Sequence, residues 1–146
     1  MAAKWGGTIV LDQAPGAVWE FLTSESNDVY WRAPWLRAVR QLADGPIEVG
    51  TRYESRYRFF GREETVVTEL TEVSPARRLA WRQVSRGSLA INDGDYELQA
   101  VERGTRFTVH GVIDSHGLAR LLDGPFAVYL RRASRQQLAQ LAAALD

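Results

Sequence analysis

The chain carries few groups that do chemistry unaided. It has two histidines and no cysteine, which removes thiolate nucleophiles, thiolate metal sites and disulfides. Asp114-Ser115-His116 contains the three residue types of a hydrolytic triad, but a triad needs side chains that converge from separate elements, and neighbours in sequence point apart. That run reads as a polar loop ending a strand. Glu63-Glu64, just after a hairpin turn, reads as solvated edge charge that discourages sheet pairing. His110 falls opposite Glu97 on an outer face, where a surface pair is the simple reading. No carboxylate cluster accompanies the histidines, so no metal ligand set is expected, no cofactor is implied, and no catalytic residue can be assigned.

The remaining chemistry is noncovalent recognition. Trp31, Tyr53, Tyr57, Phe59, Trp81, Tyr96, Phe107 and Tyr129 form an aromatic set, and Ser55, Thr68, Gln83 and Asn92 supply hydroxyls and amides at inward parity. Phenol and indole tips require a partner when buried, and a buried amide without one costs roughly 1 to 3 kcal/mol. A few fixed polar groups in an apolar cleft describe a small-molecule pocket. Gln137 is a further candidate from the last helix.

Positioning those side chains requires a curved sheet. Strand signals run almost unbroken from Val49 to Ile113 and are followed by one long helix, Phe126 to Leu145. Tyr53, Ser55, Tyr57 and Phe59 alternate with Arg52, Glu54, Arg56 and Arg58, as in a half-buried strand. A Gly61-Arg62 turn pairs Tyr57 with Val66, Ser55 with Thr68 and Tyr53 with Leu70. It also sets Glu54 against Glu69, so a shifted register stays open, and Glu69 is the one carboxylate such a shift brings inward. An Arg103-Gly104 turn pairs Ala100 with Phe107, Leu98 with Val109 and Tyr96 with Gly111. The same parity puts Asn92, Ala90, Leu79, Trp81 and Gln83 inward, and leaves Arg52, Arg56 and Glu97 exposed. Before the sheet proper come a strand over Trp5 to Leu11, a helix opened by Pro15 with Val18, Phe21 and Leu22 on one face, and a short helical or turn segment from about Ser26 to Trp31, stopped by Pro34. A strand near Leu36 to Leu42 follows. In the last helix Leu130, Ala133, Leu138, Leu141 and Leu145 form the apolar stripe, with Arg131, Arg132, Arg135 and Gln136 mainly off it. The predicted class is α+β, a helix-grip fold: an antiparallel sheet of six to seven strands around a long C-terminal helix, with two short helices after the first strand. One helix cannot cover so wide a sheet, so the concave face is expected to enclose a cavity.

The 146 residues fit one domain, 1–146, with 18 basic and 18 acidic side chains and a formal net charge of zero. A balanced charge gives no field to draw nucleic acid. No apolar stretch approaches the 18 or more residues of a membrane span, and the start Met-Ala-Ala-Lys-Trp-Gly-Gly lacks the apolar length of a signal peptide, so a cytoplasmic location is the expectation.

In its order of motifs the chain resembles the Bet v 1-like, or START/SRPBCC, superfamily, and its polyketide cyclase/dehydrase and lipid-transport branch. The residues concerned are Ala14-Pro15 leading to Val18-Trp19, Trp31 with Pro34, Val49-Gly50-Thr51-Arg52, Glu72 through Leu79, and Arg103-Gly104-Thr105-Arg106. The resemblance implies a helix-grip fold around an apolar cavity and transfers no catalytic residue. Three functions follow as expectations: binding of a hydrophobic or aromatic, lipid-like or polyketide-like molecule between sheet and final helix; a cofactor-independent polyketide cyclase or dehydratase that steadies an enolate through Tyr53, Tyr57, Asn92 or an arginine; or an interaction module without a natural ligand, including a homodimer. With neither histidine in the pocket, ligand affinity is expected to stay flat between about pH 5.5 and 8.5.

Overall fold

The computed structural model describes residues 3–59, 61–84, 93–113 and 121–146, with Phe59 described by its backbone alone. Strand β1 (Ala3–Leu11) is followed by helices α1 (Pro15–Thr23) and α2 (Glu25–Trp31), then by β2 (Leu36–Gln41), β3 (Arg52–Phe59), β4 (Arg62–Ser74), β5 (Arg78–Gln83), β6 (Asp93–Val101), β7 (Gly104–Ile113) and helix α3 (Asp123–Leu145). The seven strands form one antiparallel sheet in the order β1-β7-β6-β5-β4-β3-β2. Register shifts between Leu36 and Ala38 and between Leu70 and Glu72 interrupt two ladders. Such irregularities bend a strand and raise its twist, and here they help to curl the sheet around the helices.

Both hairpins are displaced by two residues from the expected register. Ser55 pairs with Val66 and Tyr53 with Thr68, while Tyr57 faces Glu64; Leu98 pairs with Phe107, Tyr96 with Val109 and Ala100 with Thr105. A shift of two preserves the face of every side chain, so Ser55, Tyr57, Tyr96 and Leu98 are buried and Arg52, Arg56 and Glu97 exposed, as expected. The shift also relieves the like-charge pair. Glu54 now faces Val67, and Glu69 faces Arg52. Arg52 Nε and Arg82 reach the Glu69 carboxylate at 3.2 and 2.8 Å, and the hydrogen bonds from Arg82 and Arg52 hold its pKa below the ordinary value. Glu69 therefore stays on the outer face. Ala100 departs from its expected inward burial: at the end of the hairpin, one pair from the last ladder pair Val101 and Gly104, it is exposed. Glu63 and Glu64 also need correction, because β4 is an interior strand and the sheet edges are β1 and β2. Ala90, Asn92 and Asp114-Ser115-His116 lie outside the described residues.

Helix α3 buries Leu130, Ala133, Leu138 and Leu141 of its predicted stripe and Ala127 besides, while Leu145 at its end is half-buried; Arg131, Arg132, Arg135 and Gln136 are exposed. Its N-terminal half packs with Trp35, Leu36, Tyr57, Val66 and Ile113. Its C-terminal half joins the larger core around Leu11, Val18, Trp31 and Phe107. Gln140 donates to the carbonyls of Trp31 and Ala33 at 2.7 and 2.8 Å, which ties α3 to the end of α2. A half-buried amide held by two backbone acceptors fixes the orientation of that connection. Gly111 supplies the close approach on the other side, since a Cβ there would fall 2.0 Å from Trp5 Cε2.

Candidate functional site

A cavity of about 60 Å³ opens between α1, α2 and the concave face of β2 to β6, lined by residues that include Leu22, Thr23, Glu25, Asp28, Arg32, Tyr53, Tyr57, Trp81 and Tyr96. That volume holds about four waters and falls short of the roughly 150 Å³ that accepts benzene in an apolar cavity. Aromatic side chains fill much of the space beside it. Trp81 and Tyr96 meet edge to face with ring centres 4.8 Å apart, Tyr96 lies 5.2 Å from Phe107, and Trp31 lies 6.0 Å from Tyr96. Thr23, Val39, Ile47 and Tyr53 are only half-buried, and they mark the side from which the cavity can widen.

Of the residues singled out from sequence, Tyr53, Ser55, Tyr57, Thr68, Trp81 and Tyr96 line this cavity together. Trp31 and Phe107 are fully packed behind its wall. Gln83 is half-buried and pairs with Thr68 along the sheet without lining it. Tyr129 accepts a hydrogen bond from Trp35 Nε1 in the second core cluster, away from the cavity. Asn92 and the Phe59 side chain lie outside the described residues. The position of the cavity is also corrected: α1 and α2 cover it, and no lining residue belongs to α3, which instead supports Trp31 from behind. Gln137 is half-buried on α3 and does not reach it.

The charged part of the site was not foreseen. Glu25, Asp28 and Arg32 follow one another at helical spacing along one face of α2 and its C-cap, and all three line the cavity. Burial pushes the Asp28 carboxyl from its ordinary 3.8 up to about 7, against the opposing pull of Arg32 and of the Trp31 indole N–H, which donates to Asp28 Oδ1 at 3.3 Å; the charge of Glu25 adds to the rise. Burial works against the charge on Arg32, but Tyr57, Tyr96 and Asp28 around it hold its pKa above the ordinary value. Its Nη2 donates to Tyr57 Oη at 3.0 Å, and the guanidinium lies 5.4 Å from the centre of the Tyr57 ring and 5.9 Å from that of Trp31. Burial, followed by the charges of Glu25 and Asp28, pushes the Tyr53 phenol up to about 12. Burial likewise raises Tyr96 well above its ordinary value. The 25, 28, 32 spacing is visible in the sequence, but a short helix or turn by itself gives no reason to aim that face inward. The cavity wall thus carries a carboxyl with a raised pKa, where the sequence offered no titrating group near neutrality.

On the outer face His110 is exposed, as expected, but opposite Asp95 rather than Glu97, with Nδ1 2.7 Å from Asp95 Oδ1. Asp95, Glu97 and His110 bring one ligand atom each within 4.8 Å of one another. Arg78 contacts the carboxylates of Asp95 and Glu72 and comes within 3.9 Å of Glu97. Two carboxylates therefore do accompany His110, contrary to the sequence reading, with the Arg78 guanidinium beside them.

A comparison with protein families matches residues 3–146 to the family described as polyketide cyclase / dehydrase and lipid transport. The chain belongs to this family. It is a Bet v 1-like, SRPBCC-type helix-grip protein, in agreement with the resemblance drawn from its motifs. A comparison with curated protein sequences finds no significant match. Among solved structures, it is similar to the Zhui aromatase/cyclase from Streptomyces sp. R1128, with a TM-score of 0.79 at 15% identity over 99% of this chain and 94% of that one. TTHA0849 from Thermus thermophilus gives a TM-score of 0.79 at 12% identity, over 97% of this chain and 96% of that one. The di-domain ARO/CYC StfQ from the steffimycin biosynthetic pathway gives 0.73 at 13% identity, over 98% of this chain and 50% of that one. At these identities the likeness is one of fold. Among the described residues, no helix of this family member is long and apolar enough to cross a membrane.

Proposed function

We propose that the protein binds a hydrophobic or aromatic small molecule in the cavity under α1 and α2. The observation that carries this reading is the convergence of Tyr53, Tyr57, Trp81 and Tyr96 with Leu22, Leu70 and Leu79 on one space that also receives a few polar groups. Such a wall offers stacking area and fixed hydrogen-bonding tips at once. The enclosed volume is smaller than a ring, so a ring-sized ligand extends through the open side of the cavity or displaces the half-buried side chains there. Titration of intrinsic tryptophan fluorescence with flat aromatic and fatty ligands tests the reading. A saturable signal that weakens in Trp81→Ala and persists in His110→Ala is expected. A signal that Trp81→Ala leaves intact would remove the cavity from the account.

A second reading, a cofactor-independent cyclase or dehydratase, is favoured by one specific observation. Asp28, with its pKa near neutrality, and Arg32, held as a cation, face the same cavity. A carboxyl poised near pH 7 suits general acid or base work, and a guanidinium can steady an enolate oxygen. The family description and the aromatase/cyclase neighbours agree with this second reading without selecting it.

A further inference from the structure

The charges on α2 constrain the ligand more narrowly than the aromatic wall does. With all three groups ionised, Glu25 and Asp28 set two negative charges against the single positive charge of Arg32 in the lining of one cavity. Arg32 is already engaged by Tyr57 Oη and lies beside the Trp31 and Tyr57 rings. Glu25 Oε2 is buried and has no hydrogen-bond partner among the described residues. A buried carboxylate oxygen left unpaired is costly and is satisfied by a donor or a cation. The same space is bounded by Tyr53, Tyr57, Trp81 and Tyr96, whose ring faces attract organic cations.

We propose that the α2 wall is an acceptor subsite, centred on Glu25 and Asp28, for the protonated amine of a ligand whose apolar body lies against the tyrosines and Trp81. The inference rests on the cavity being a ligand site, and it adds the charge of the ligand. A primary ammonium places up to three N–H donors where the two carboxylates supply acceptors. A ligand carboxylate would meet Glu25 and Asp28 with like charge, so fatty acids are disfavoured.

Three probes of nearly equal size separate the outcomes: phenethylamine, 2-phenylethanol and hydrocinnamate, titrated calorimetrically at pH 8 into the full chain. Phenethylamine is expected to bind about tenfold more tightly than 2-phenylethanol, in line with the lower end of coupling between close charge pairs, with hydrocinnamate weakest. Glu25→Gln should remove most of the amine's advantage over 2-phenylethanol, read as the ratio of the two affinities, and Asp28→Asn, as a second variant, should also reduce it. Hydrocinnamate binding as tightly as the amine, or an amine advantage untouched by both substitutions, would overturn the proposal while leaving the cavity as a binding site. Binding of none of the three probes at millimolar concentration would overturn the cavity reading as well.

Discussion

Replacing Asp28 with Asn should change how stability depends on pH, and the size of the change follows from the burial of that carboxyl. In the unfolded chain Asp28 titrates near its ordinary 3.8, and in the folded protein near 7. Between those values the folded state keeps a proton that the unfolded state has released. Stability contributed by this group is therefore present below about pH 4 and falls as the pH rises toward about 7, levelling off above that. The gap between the two values corresponds to about 4 kcal/mol across the window. Asparagine cannot ionise and resembles the protonated acid in shape, so it should abolish that slope whatever constant offset it adds through Trp31 or Arg32. Urea denaturation of both proteins at half-unit intervals from pH 4 to pH 8 measures the difference directly, because titrations elsewhere in the chain are common to both. The variant should gain on the wild type by about 4 kcal/mol from one end of the range to the other. Parallel profiles would refute the reasoning and imply a solvated Asp28.

Leu141→Ala removes a fully buried side chain from α3 and should cost about 2 to 4 kcal/mol in a denaturant titration, whereas Arg135→Ala, on the exposed face, should change stability by less than about 0.5 kcal/mol. Equal effects would mean that α3 is rotated. Gly111→Ala would place a Cβ 2.0 Å from Trp5 Cε2 and should destabilise by about 1 to 3 kcal/mol through overpacking. A neutral result there would show that the Trp5 ring does not lie across β7.

The helix-grip architecture was legible because its signals are local and redundant. The alternation of Tyr53, Ser55 and Tyr57 with arginines specified a half-buried strand, and the leucine stripe of α3 specified a covering helix. Face assignments survived a two-residue error in both hairpins because the side-chain period is two. The registers themselves depend on where each turn closes, and that choice is made by long-range pairing, such as Arg52 with Glu69, that no local residue announces. The cavity was legible on its sheet side and not on its helical side. Tyr53, Ser55, Tyr57, Thr68, Trp81 and Tyr96 follow from parity, whereas Glu25, Asp28 and Arg32 point inward only because α2 docks over the sheet with its Trp31 face inside. Charged residues on a short helix ordinarily face solvent, so the placement of this half-buried trio in the cavity wall appears only once the tertiary packing is known.

Native mass spectrometry of gently purified protein, followed by extraction and identification of what leaves with it, tests the central claim most directly. The account predicts a small molecule with an apolar or aromatic body, retained by the wild type and lost or diminished in Trp81→Ala. Recovery of the bare chain alone, together with no saturable response to any added aromatic or fatty ligand, would contradict it.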